Sequence, residues 1–336
     1  MTTAAILGCA GPTLSAEERR FFHEADPLGF ILFQRNCQTP EQVRRLVQDL
    51  RHSVGRADAP VLIDQEGGRV ARLRPPAWRK APAAGRFGVL ASRDAPSALE
   101  AARLNARLMG AELAGLGISV DCAPVLDLQF AGASNVVGDR GFATDPELVA
   151  QLGRAVCEGL LAAGITPVLK HLPGHGRAVV DSHHALPEVD VSLAELRQTD
   201  FVPFRLLADM PWAMTCHVVY KAIDPDRPAT TSPVVIADII RGEIGFKGLL
   251  VSDDLSMEAL RGDIGDRAKR ARAAGCDLAL HCNGRLEEMR AVAAAAGPVS
   301  GVTAERLARR PTATADVPLL NVAAAEARLD QLLATA

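Results

Sequence analysis

The chain has seven cysteines but no C-x-x-C pair. Cys9, Cys37, Cys122, Cys157, Cys216, Cys276 and Cys282 are odd in number and scattered. Such a set builds neither a zinc knuckle nor a disulfide framework, and it suits reduced thiols. An excess of charge is also missing. Lys plus Arg number 37 against 40 Asp plus Glu, a net of −3, and no basic stripe is present to hold nucleic-acid phosphates. No apolar run approaches the roughly 20 residues of a membrane span. Ile6-Leu7-Gly8-Cys9 has the look of a lipoprotein cleavage box. Residues 1–9, however, carry no Lys or Arg and fall short of the apolar stretch of about 7–15 residues that a leader needs. These absences predict a cytoplasmic protein with no nucleic-acid and no membrane partner.

What is present describes a well-packed globule. The chain has 336 residues, 48 % hydrophobic and 23 % charged, which excludes disordered and fibrous classes. Short, nearly continuous apolar runs alternate with longer amphipathic stretches. The runs at 4–8, 29–33, 60–64, 117–123, 165–171, 212–217, 248–253 and 277–282 read as strands buried on both faces. Between them, Thr39-Pro40-Glu41-Gln42 and Ser192-Leu193-Ala194-Glu195 read as capping boxes, and Asp145-Pro146 opens a helix running towards Gly164. Gly117 and Gly245 are placed to end helices. Eight strands separated by helices imply parallel pairing, and at this length a single (β/α)8 barrel over residues 1–336. A doubly wound sheet would show a glycine-rich phosphate turn after its first strand, and Gly8-Cys9-Ala10-Gly11-Pro12 is too short and proline-bound for that. Residues 302–336 read as a helical tail packed on the barrel.

In such a barrel the chemistry gathers at the C-terminal ends of the strands. Ionisable residues collect there: Asp64 and Glu66 after the third run, Lys170-His171 at the fifth, His217 at the sixth, and Asp253-Asp254 at the seventh. The segment from Lys170 to Asp190 holds four of the eight histidines. His171 and His175 share a metal only on one helical face, and Pro173, Gly174 and Gly176 forbid a helix there, so no metal site is expected. Asp181 and His183 can pair in an irregular loop, the carboxylate fixing the imidazole tautomer, or can sit in a solvated surface loop. After the seventh strand the chain is expected to enter a helix. Asp254 or Ser256 then has a capping role, leaving one acid for nucleophilic, general-base or ligand work. Strand parity does not choose between Asp253 and Asp254.

Six stretches together resemble glycoside hydrolase family 3, most closely its bacterial β-N-acetylglucosaminidases of peptidoglycan recycling. They are Ile63-Asp64-Gln65-Glu66-Gly67-Gly68-Arg69-Val70, Ala123-Pro124-Val125-Leu126-Asp127, Gly138-Asp139-Arg140, Lys170-His171-Leu172-Pro173-Gly174-His175-Gly176, Asp181-Ser182-His183 and Ser252-Asp253-Asp254-Leu255-Ser256-Met257. Leu172 departs from the Phe of many members, and Gly141 from a common Ser. The resemblance implies a (β/α)8 barrel without the second sandwich domain of larger members. It also implies a retaining β-N-acetylhexosaminidase. By motif, Asp253 resembles the nucleophile and His183, oriented by Asp181, the general acid/base. Asp64, Arg72, Arg140, Lys170 and His171 match positions that hold the terminal N-acetylglucosamine. The implied substrate is the small saccharide GlcNAc-1,6-anhydro-MurNAc, with or without its peptide, and no cofactor is implied.

Retaining hydrolysis needs an attacking carboxylate and an acid for the departing oxygen. A histidine titrating near neutrality can fill the second role, and the glycines at the base of its loop predict that the loop closes over bound sugar. With aromatics at 4 %, stacking platforms are few, which points to a short site gripped by charge. Alternatives are phosphorolysis by the same fold, a metal-dependent barrel hydrolase, a Schiff-base lysine at Lys170, and a sugar-binding protein without turnover. The oligomeric state is not encoded in any motif, and a monomer is expected.

Overall fold

In the computed structural model, residues 1–130, 132, 136–180, 182, 185–309 and 319–334 are described. Eight parallel strands close into one barrel. They are β1 (Thr3–Gly8), β2 (Pro27–Leu32), β3 (Val61–Ile63), β4 (Val120–Asp121), β5 (Thr166–Leu172), β6 (Trp212–Thr215), β7 (Leu249–Asp254) and β8 (Leu278–His281). The order round the barrel is sequential, and β8 closes it on β1 with Ala5 opposite Ala279. Each strand falls on one of the eight apolar runs, because a strand with helices on one face and a packed interior on the other has no polar side to show. Alternate residues fill the interior, among them Ile6, Ile31, Leu62, Val168, Val251 and Leu280, while the other set meets the surrounding helices.

Those helices are α1 (Ala16–Ala25), α2 (Pro40–Ser53), α3 (Ala84–Ala91), α4 (Ala95–Leu116), α5 (Pro146–Ala162), α6 (Leu193–Gln198), α7 (Val202–Leu206), α8 (Ile264–Ala274), α9 (Leu286–Ala296), α10 (Gly301–Ala308) and α11 (Val322–Leu333). A wider, π-type helix spans Val235–Glu243 and ends just before Gly245 at φ 77°. Asp145 caps α5, and Gly117 ends α4 at φ 81°. Helix α11 buries Leu329, Leu332 and Leu333.

The two expected capping boxes form only half. Thr39 accepts from the Gln42 amide at 3.2 Å, but the Gln42 side chain accepts from the Gln38 amide instead of that of Thr39. Ser192 accepts from the Glu195 amide at 3.2 Å, while the Glu195 carboxylate is drawn off to Arg177 at 2.8 Å. A complete reciprocal box stands at Ser15 and Glu18. A second correction concerns the chain after β7. It turns through residues 255–260 rather than entering a helix, and α8 starts only at Ile264 under an Asp263 cap. No helix among the described residues is long and apolar enough to cross a membrane.

Candidate active site

The C-terminal ends of the strands surround a cavity of about 250 Å³. Asp64, Arg72, Arg140, Lys170, His171 and Asp253 all line it, six of the eight residues expected from the sequence. Asp181 and His183 lie outside the described residues.

One wall is an ion cluster. The Lys170 ammonium, 2 % exposed, stands at the end of β5 between Asp64 Oδ1 at 2.8 Å and Glu66 Oε1 at 2.7 Å. Asp64 Oδ2 takes a second cation, Arg72, at 2.9 Å. Arg140 reaches across from the segment after β4 and donates to both Glu66 oxygens at 2.8 Å, the bidentate geometry in which guanidinium binds carboxylate best. The hairpin of Gln65–Gly67 with Val70–Ala71 delivers the acids. Its Gln65 side chain points the other way, accepting from the Arg72 and Leu73 amides. Burial by itself raises the Glu66 carboxyl, but Lys170 and Arg140 more than reverse this and hold it at about 2. Asp64, treated the same way by Lys170 and Arg72, lies well below the usual carboxylate range. Lys170 is pushed above an ordinary lysine by the two acids, against its burial. A Schiff-base lysine needs the opposite shift, so that alternative has no support at this position.

A second group hangs on Asp127, fully buried in the segment after β4. Its Oδ2 meets His171 Nδ1 at 2.6 Å, and its Oδ1 accepts from the amides of His171 at 3.2 Å and His175 at 2.6 Å. His175 Nε2 lies 3.1 Å from Ser182 Oγ. The two imidazoles stand edge to face, 5.8 Å apart, each bound to a different partner. Among the described residues no group of three His, Cys, Asp or Glu side chains is arranged to hold a metal ion. The loop base is closely packed. The Tyr220 hydroxyl donates to the Gly174 carbonyl at 2.6 Å, and a Cβ at Gly176 would stand 2.2 Å from the Leu128 carbonyl oxygen. These glycines allow close approach of backbones at the loop base.

The third element is the end of β7. Asp254 is built into the turn that follows. Its Oδ1 accepts from the Ser256 amide at 3.0 Å and the Cys282 amide at 3.1 Å, and its Oδ2 from the Ser256 hydroxyl at 2.6 Å. The Asp253 amide faces Thr215 Oγ1 at 3.3 Å, and its carboxylate accepts from the Asp254 amide at 2.8 Å. His217, at the end of β6, is fully buried beneath this turn, between Thr230 Oγ1 and the Asp254 carbonyl. Burial lowers its basicity, and the ring acts as scaffold.

Sequence reasoning gave no role to Glu66, Asp127, His175 or Ser182. Glu66 had a readable signal, because alternation in the hairpin puts residue 66 on the opposite face from residue 65. Nothing local marks Asp127, which acts on partners more than 40 residues away. Gly141, where a Ser was noted as common in the resembling family, has no room for one. A Cβ there would lie 2.9 Å from both Gln129 Cγ and Val137 Cγ1.

Residues 10–310 match the model of the glycosyl hydrolase family 3 N terminal domain. A β-hexosaminidase from Alkalilimnicola ehrlichii is 43 % identical over 282 residues, covering 83 % of this chain and 80 % of that one. A family 3 β-N-acetylglucosaminidase from Paenibacillus superposes with a TM-score of 0.86 at 30 % identity, over 98 % of this chain, which spans 66 % of that longer protein. NagZ from Neisseria gonorrhoeae, solved with N-trifluoroacetyl-D-glucosamine, superposes with a TM-score of 0.83 at 32 % identity, over 99 % of this chain and 98 % of its own. With this barrel and this charged cavity already in place, the chain belongs to glycosyl hydrolase family 3, as a glycoside hydrolase of the β-hexosaminidase kind.

Proposed function

We propose that the chain is a retaining β-N-acetylglucosaminidase that removes a terminal, non-reducing GlcNAc from muropeptide fragments in the cytoplasm. Asp253 attacks the anomeric carbon and carries the sugar as a glycosyl-aspartate. His183, oriented by Asp181, protonates the departing oxygen and then activates water. Asp64, Arg72, Arg140, Lys170 and His171 hold the sugar.

One observation carries the reading. Asp253 shares a cavity of about 250 Å³ with a fixed set of charged groups, a volume that suits a small saccharide. Because Asp254 is bound into its turn, Asp253 is the better nucleophile. Preset ion pairs around Asp64 and Glu66 offer the sugar hydroxyls donors and acceptors that need no rearrangement on binding. That several cations stand in the wall agrees with a neutral, hydroxyl-rich ligand only because each is already matched to an acid. The Neisseria relative's sugar complex agrees with a monosaccharide-sized site.

The test is mechanism-based labelling. With a slow fluorinated GlcNAc donor, the sugar mass is expected on the peptide of residues 248–257, abolished in Asp253→Asn and retained in Asp254→Asn. Label on any other peptide refutes the assignment. Accumulation of GlcNAc-1-phosphate in phosphate buffer would replace hydrolysis by phosphorolysis.

A further inference from the structure

The hairpin that carries Asp64, Glu66 and Arg72 is held from behind by two residues that do not line the cavity. Gln65 is 1 % exposed, and Asp121, at the end of β4, is fully buried. Gln65 Oε1 accepts from the amides of Arg72 at 2.9 Å and Leu73 at 3.1 Å, and its Nε2 donates to the Leu73 carbonyl at 3.1 Å. Amide donors at one end and a carbonyl at the other fix which way the carboxamide points. The Gln65 amide donates to Asp121 Oδ1 at 3.0 Å. The side chain thus bridges the two arms of the hairpin, and the backbone ties the hairpin to the barrel.

Side chains along an extended arm alternate, so residues 64 and 66 share the cavity face while residue 65 turns away. Asp64 and Glu66 are like charges drawn to one ammonium, Lys170, and to separate guanidiniums, Arg72 and Arg140. An ammonium is a compact point charge with rotatable donors, so its ion pairs do not by themselves fix where the arm lies along the wall. Directional bonds on the neutral face do. Asp121 Oδ2 is buried with no hydrogen-bond partner among the described residues. With one oxygen bonded and the other idle, the side chain serves as a single acceptor. Burial pushes its carboxyl well above the ordinary carboxylate range, which favours the neutral form.

We propose that Gln65 and Asp121 are positioning residues for sugar binding: their hydrogen bonds set the register of the hairpin and, through it, where Asp64 and Arg72 meet the sugar. The inference rests on the reading that Asp64 and Arg72 hold the sugar.

The test uses Gln65→Met, Asp121→Leu and Asp121→Asn, each assayed for the GlcNAc inhibition constant and for KM and kcat on an aryl β-N-acetylglucosaminide. Gln65→Met keeps the length of the side chain and deletes its bonds to Arg72 and Leu73. It is expected to raise the inhibition constant and KM about tenfold with kcat within about threefold, because the displaced groups bind ground state and transition state alike. Asp121→Leu, which removes one acceptor, should raise both constants about fivefold. Asp121→Asn keeps the acceptor and should stay within about twofold of the parent enzyme. A folded Gln65→Met with an unchanged inhibition constant overturns the proposal, since the bonds would then serve stability alone. So does an Asp121→Asn that loses as much as Asp121→Leu. Asp64→Asn and Arg72→Ala test the premise separately: if both bind GlcNAc at full affinity, the sugar-holding reading has failed and the positioning role with it. Should Gln65→Met and Asp121→Leu not fold, hydrogen exchange of the parent enzyme decides. The amides of Gln65, Arg72 and Leu73 should exchange slowly, and saturating GlcNAc should slow them by the same factor of about ten, because coupling between two equilibria is reciprocal. Exchange at these amides that ignores GlcNAc overturns the proposal.

Discussion

Asp127→Asn separates the geometry of the buried carboxylate from its charge. Burial alone would raise the Asp127 carboxyl, but the His171 imidazole and the bonds from His171 and His175 bring it from 3.8 to about 2. The carboxylate is therefore ionised at neutral pH, and a hydrogen bond to a charged partner is worth about 1.5–3 kcal/mol. The sign follows from the native state holding its proton less tightly than the unfolded chain. The stabilisation is complete above about pH 4 and is lost only as pH falls towards about 2. Asn has the same shape, and its oxygen can keep the amides of His171 and His175. Its NH2 then faces His171 Nδ1, where a carboxylate accepted, so the imidazole must move its proton to Nε2 and reverse the polarity it offers the cavity. We expect denaturant unfolding at pH 7 to show a loss of about 2 kcal/mol, constant between about pH 6 and pH 8. Nitrogen-15 spectra should show Nδ1 of His171 losing its proton, and GlcNAc should bind roughly tenfold more weakly. An unchanged tautomer, or full affinity for GlcNAc, would refute the reasoning. So would a stability gap that opens or closes with pH in that window, since this would trace the cost to the imidazole.

Two other perturbations follow from the packing. Lys170→Met leaves Asp64 and Glu66 buried with one guanidinium each, and should cost roughly 3 kcal/mol or more in urea unfolding at neutral pH; a loss under about 1 kcal/mol would mean that the arginines suffice. Gly88→Ala places a Cβ 1.8 Å from the Phe142 carbonyl oxygen and should destabilise by about 1–3 kcal/mol, read as a fall in Tm. Gly115→Ala, with open space at the same test, should be neutral or raise Tm.

The barrel was legible in the sequence because parallel strands buried on both faces leave uninterrupted apolar runs, and all eight runs became strands. Caps were legible as far as they are local: Thr39, Asp145 and Ser192 each bind the amide three residues on. Their reciprocal halves were not, because Gln42 accepts from the Gln38 amide, one residue before the cap, and Glu195 pairs with Arg177. The same distinction governs the site. Motifs named Asp64, Lys170 and Asp253, but neither the sharing of one ammonium between two acids nor the hub at Asp127 has a sequence signature. Both arise from closing the barrel, which brings residues 64, 66, 140 and 170 to one wall. The helix expected after Asp254 failed for a related reason. The carboxylate is used across strands, on the Cys282 amide, so what read as a cap is a turn tied to β8.

That the first strand lies beside the last has a consequence for synthesis. Ala5 pairs with Ala279, so β1 acquires its second neighbour only after about 270 further residues have been polymerised. At about 5–20 residues per second the ribosome needs roughly 14–54 s to make them. Through that interval one edge of β1 offers unpaired amides and carbonyls to whatever strand is nearest, including another nascent copy. Factors that shield that edge during translation should therefore raise the yield of folded chain.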